Sequence, residues 1–173
     1  AAKALPPQPE LGALDWFNGR RTPDANPRLC GALFGLTLGS TAPMIYRALV
    51  ESTVFGARAI IERFRSEGIA VNSVAAVGGI SRKSPFVMQL CADVFQLPIK
   101  VAAADQACAL GAAMFAAVAA KVHPDLEIAM AEMGSGFDRI YQPDPSAVPV
   151  YEKLYDRYLS LGKLLEEETM RHV

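Results

Sequence analysis

Three cysteines, two histidines and one tryptophan are all that the 173 residues contain of those types. Cys30, Cys91 and Cys108 are an odd number at unrelated spacings, which excludes a disulfide framework and a zinc site. Each lies in an apolar context, so small buried hydrophobes are expected. His123 precedes Pro124 at an expected helix end, and His172 is one residue from the C-terminus. Neither position recommends a catalytic base. Seventeen basic residues stand against eighteen acidic ones, for a net charge of −1. Without a long basic stretch, nucleic acid is not an expected partner. Long apolar runs are missing too. The longest, Ala107 to Ala120, is too short to span a bilayer, so no membrane association is expected. The opening "AAKALPPQPELG" has no apolar core segment of the kind a signal peptide needs, which points to the cytosol.

What is present is apolar surface: 51% of the residues are hydrophobic, enough for one core or one lobe of something larger. Residues 1–30 read as an irregular segment, since "LPPQPE", "NGRRTP" and "DANP" are turn chemistry. "GALFGLT", residues 31–37, has the composition of a short strand. A long helix is expected from Ala42 to Glu67, capped by Ser40 or Thr41, with Pro43 in its first turn and Gly68 past its end. Ile45, Leu49, Ser52, Phe55, Ala59 and Phe64 would form its buried face.

A strand over Ser73–Val77 leads to a Gly-Gly turn. Ser84 is a good N-cap and Pro85 a good first residue for a helix reaching Phe95. A strand near Ile99–Ala102 follows, then an alanine-rich helix, 106–121, with Asp105 as its cap. Small residues along that helix suit a close helix or sheet contact. A short helix over Leu126–Met133 comes next. The last helix, about Val148 to Thr169 within the terminal segment 146–173, is amphipathic through Val150, Leu154, Tyr158, Leu161 and Leu165. Alternating strands and helices of this kind imply a small parallel sheet covered by helices, with a helix-rich C-terminus.

The turn in "VAAVGGISRKSPFV" invites a function. It carries Lys83-Ser84, but a P-loop would need glycine where Val77 and Arg82 stand. Nor does it offer the G-x-G-x-x-G of a dinucleotide-binding oxidoreductase. Two readings remain on these residues alone. One is a plain glycine turn with two solvated basic residues. The other is a ligand crevice at the end of a strand, where Gly78 and Gly79 admit a flat group and Arg82 and Lys83 line the rim.

The wider pattern weighs on this choice. "NGRRTPDANPRL", "GGISRKS" and "DQACALGAA", in that order, resemble the C-terminal part of the FGGY family of carbohydrate kinases. The resemblance runs over residues 11–122, and "YEKLYDRY" is similar to the family's usual ending. It implies two lobes of the actin-like, ribonuclease-H-like ATPase fold, with this chain as the C-terminal part of the second, nucleotide-binding lobe. It implies an ATP-dependent kinase acting on a sugar, L-ribulose or a related pentulose, with Mg²⁺ as the accompanying metal. It implies an adenosine pocket at Gly78, Gly79, Arg82 and Lys83. The catalytic base and the magnesium ligands would lie in the N-terminal lobe and other parts outside this chain, and Asp24 and Asp105 match neither role. The chain alone would then be inactive, and its uncovered surfaces would favour self-association or contact with the remaining polypeptide. A noncatalytic packing or regulatory module of the same fold is the alternative. For the loop "DWFNGRRTPDANP", the resemblance implies an organising part near the cleft between the lobes. Turn stabilisation and surface charge is the competing account of Trp16, Asn18, Arg20 and Arg21.

Overall fold

The computed structural model describes residues 5–171. Two short strands, β1 (Gly12–Leu14) and β2 (Ala32–Phe34), pair antiparallel. Then come α1 (Ala42–Ser66), β3 (Val74–Ala76), a one-turn α2 (Gly79–Lys83) and α3 (Pro85–Phe95). β4 (Ile99–Ala102), α4 (Ala107–Ala119), α5 (Leu126–Met133), β5 (Phe137–Tyr141) and α6 (Val148–Arg171) complete the chain.

β4 is the centre of a three-stranded sheet. β3 pairs with it in parallel, Val74 opposite Ile99, and β5 pairs on its other side antiparallel. The sheet is therefore mixed, and β5 adds a strand that the sequence did not announce. β1 is a second addition, inside the segment expected to hold only turns.

The core lies between this sheet and the helices. α3 is apolar around most of its circumference, and Met88, Leu90, Ala92, Val94 and Phe95 are all buried. A helix of that character has to be enclosed; α3 packs on the sheet with one side and on α1 and α6 with the other. Its start follows from local chemistry: Ser84 Oγ accepts from the Val87 N–H at 3.4 Å, and Pro85 takes the first helical position. Gln96 in the left-handed region ends it.

α1 is held differently from the expectation. Thr41 occupies its N-cap position without a side-chain cap bond, and Ser40 Oγ instead accepts from the Thr37 N–H at 2.9 Å. The buried face includes Ala48, Ser52, Val54, Phe55 and Ile61, but also Arg47, Glu51 and Arg58. Phe64, expected inside, is 45% exposed. Across from α1, the α6 stripe is aromatic: Tyr155 and Tyr158 lie 5.9 and 5.6 Å from Phe55, ring centre to ring centre. Such contacts add to area burial.

The cysteine expectation is corrected. Cys30, in the turn before β2, and Cys108, in the first turn of α4, are exposed. Only Cys91 on α3 is partly buried, and desolvation pushes its thiol up to about 11. His123 lies 3.4 Å from Glu132 of α5, and His172 is outside the described residues. Among the described residues no helix is long and apolar enough to cross a membrane.

Candidate functional site

The chain leaves β3 at Ala76 and turns at Gly78, whose φ of +88° is a conformation that L side chains rarely adopt. This turn lets the backbone reverse into α2, and Ser81 Oγ secures it by donating to the Gly78 carbonyl oxygen at 2.7 Å. A Cβ at Gly78 or Gly79 would meet nothing within 4 Å, so both glycines face open space. That space is a cleft of about 660 Å³. Gly78, Gly79, Arg82 and Lys83 line one wall, and Asp105, Gln106, Ala107 and Cys108 line the other. The four residues expected to act together do border one cavity. The second wall is the entrance to α4.

Within this site the two basic residues differ. Among the described residues no side-chain hydrogen bond or ion pair is seen for Lys83, which is exposed at the rim. The guanidinium of Arg82 is engaged: Nε lies 3.2 Å from Asp105 Oδ1, and Nη1 lies 3.1 Å from Asp138 Oδ2. Nη1 also donates to the Ala103 carbonyl oxygen. Asp105 is consequently not the cap of α4. Gln106 stands at the N-cap position without a side-chain cap bond, and the Asp105 carboxylate is turned toward Arg82.

A second cavity, about 370 Å³, lies between the loop after β1, the later half of α1, and α6. Four of its polar side chains pair in twos. Tyr158 donates to Asp15 Oδ1 at 2.7 Å, and Arg20 makes a two-bond fork to Glu166 at 2.8 and 2.9 Å. The Arg20 guanidinium also sits 5.3 Å from the Trp16 ring, and Arg63 meets Asp24 at 2.6 Å. Burial raises the Asp15 carboxyl above its ordinary value, partly offset by the Tyr158 bond. Trp16 and Arg20 thus stabilise a turn against α1 and α6, the competing account of this loop. Arg21 is exposed at the cavity edge. Among the described residues, no three His, Cys, Asp or Glu side chains gather in a metal-holding group.

Comparison with known proteins gives this geometry a family. Residues 1–120 match the family model described as the FGGY family of carbohydrate kinases, C-terminal domain. A ribulokinase from Vibrio parahaemolyticus is 50% identical over 155 residues, which cover 90% of this chain and 27% of that protein. A ribulokinase from Halalkalibacterium halodurans is 44% identical over 165 residues, covering 93% of this chain and 29% of its own length. The chain therefore spans less than a third of these curated relatives. Among solved structures, a ligand-bound xylulose kinase from Lactobacillus acidophilus superposes with a TM-score of 0.86 at 26% identity, over 99% of this chain and 35% of that one. A xylulose kinase from Rhodospirillum rubrum gives 0.81 at 27% identity, over 98% and 33%. The α/β arrangement is that of the actin-like ATPase fold of these sugar kinases. By sequence and by fold, the chain belongs to the FGGY family of carbohydrate kinases.

Proposed function

We propose that the chain supplies the adenosine side of an ATP-dependent sugar kinase, acting in the cytosol on L-ribulose or a related pentulose. The observation that carries this reading is the cleft at the carboxyl end of β3. There two glycines present bare backbone to open space, and an unengaged lysine stands at the rim. In an open α/β sheet that is where ligands bind. Gly78 and Gly79 would lie against the adenine or ribose, with Lys83 at the edge. Bound ATP with Mg²⁺ supplies the transferable phosphoryl group. The side chains described here hold and orient; they bring no base poised to accept a hydroxyl proton. The base and the magnesium ligands are assigned to parts of the enzyme beyond this chain, and the chain by itself is inactive. Ribulokinase relatives at up to 50% identity favour L-ribulose over other sugars.

Gly79→Val in the intact enzyme is the test. Gly79 is preferred to Gly78 because its backbone accepts a side chain without strain. A branched side chain there projects into the cleft and leaves the fold alone. ATP affinity is expected to fall by about tenfold or more, the loss of roughly 1.4 kcal/mol, while the KM for L-ribulose changes little. Equal losses for both ligands, or loss of neither, refute the placement.

A further inference from the structure

Arg82 was expected at the rim of the cleft, free to reach a ligand. It stands instead between the two walls. Its backbone belongs to α2, which follows Gly78 and Gly79. Its side chain crosses to Asp105, at the entrance to α4, and to Asp138, on β5. The same Nη1 reaches the carbonyl oxygens of Ala102 and Ala103. Those carbonyls lie at the end of β4, beside the point where the β4–β5 register slips between Val101 and Ala102. Such an irregularity frees main-chain groups from the ladder. The loop beyond it is tied to the entrance of β5 by Ala103 N–H donating to the Gly136 carbonyl at 3.1 Å.

We infer that Arg82 is a positioning residue: it braces the Gly78–Gly79 wall against the 105–108 wall and so sets the width of the nucleotide cleft. This rests on the reading of that cleft as the adenosine site. A guanidinium suits the task because its planar fork serves several acceptors at once, which a lysine cannot reproduce. Nε and Nη1 of Arg82 are directed at Asp105, Asp138 and main-chain carbonyls. Asp138 does not line the cleft, yet it holds one end of the brace. That separates the brace from direct contact with ATP.

Titration calorimetry with Mg·ATP on the intact enzyme compares wild type, Arg82→Met, Arg82→Lys, Asp138→Asn, and the Arg82→Met/Asp138→Asn double variant. Each single variant is expected to weaken ATP binding by about two- to fivefold, the upper part of the range for a partly exposed ion pair. The double variant should be no worse than Arg82→Met, and Arg82→Lys should not rescue. The KM for L-ribulose and the melting temperature should stay close to wild type. ATP affinity retained in Asp138→Asn and Arg82→Lys but lost in Arg82→Met would overturn the brace in favour of direct phosphate contact. Lower melting temperatures with unchanged ATP affinity would overturn it in favour of a purely structural tie. No ATP binding by the wild-type enzyme would refute the adenosine site and the brace together, whereas ATP binding indifferent to Asp138 refutes the brace alone.

Discussion

Arg47→Met isolates the most buried ion pair seen among the described residues. Arg47 Nε lies 2.7 Å from Glu51 Oε1, and the two side chains are only 7% and 5% exposed. The guanidinium also donates to the Tyr151 hydroxyl at 2.7 Å and to the Leu5 carbonyl, and lies 5.4 Å from the Phe86 ring. It thereby joins α1 to α6, α3 and the chain's early residues. Burial raises the Tyr151 hydroxyl to about 12. Desolvation also holds the Glu51 carboxyl above its ordinary 4.5, with Arg47 pulling against it. Methionine preserves bulk but strands a buried carboxylate. Removing one partner of such a pair costs about 3–5 kcal/mol. In an intact enzyme of the relatives' length, more than three times this chain, roughly 1–2 °C is expected per kcal/mol, so the melting transition falls by roughly 3–10 °C.

The pH dependence has a definite sign. A carboxyl raised in the folded state favours folding below its ordinary pKa and loses that contribution as pH rises through the folded value. Without Arg47 the carboxyl rises further, so the deficit is larger near about pH 8 than near about pH 5. Scanning calorimetry of the intact enzyme at both values decides it. A fall below about 2 °C, or a deficit that grows on acidification, refutes the reasoning.

Two glycines test how backbone and space combine. Gly68 has a φ of +80° with nothing within 4 Å of a would-be Cβ, whereas at Gly35, φ +75°, that atom would fall 1.6 Å from the Glu10 carbonyl oxygen. Gly68→Ala is expected to cost about 1–2 kcal/mol and Gly35→Ala about 3 kcal/mol or more, as read by chemical denaturation; equal costs would contradict the packing of β2 on the early chain. The isolated 173-residue chain is expected to show no phosphoryl transfer and to self-associate. Among the described residues β3 has one paired edge, and Phe115, Met130, Phe137 and Ile140 are each more than half exposed. Light scattering that shows a stable monomer at high concentration would refute the association.

Where local chemistry decides a structure, the sequence was readable. Ser84 and Pro85 open α3 because a cap and a fixed φ act within one turn, and Gly68 closes α1 for a similarly local reason. β5 was not readable: "FDRIY" is exposed along nearly its whole length, shows no alternation, and is a strand because β4 offers an edge. β1 depends likewise on β2. Arg47, Glu51 and Arg58 were passed over because charged residues on a helix ordinarily face water; here α6 and α3 close over them. The near wall of the cleft was legible through Gly78, Gly79 and Lys83. The far wall was not, since Asp105 satisfies a local cap pattern and only the fold brings it to Arg82.

The central claim is that adenosine lies between Gly78–Lys83 and Asp105–Cys108. Photolabelling of the intact enzyme with 8-azido-ATP, followed by peptide mapping with and without competing ATP, tests it most directly. ATP-protected label is predicted on the peptides carrying residues 78–83 or 105–108, and Gly79→Val should diminish it. Protected label confined to other peptides, or undiminished labelling of Gly79→Val, would contradict the account.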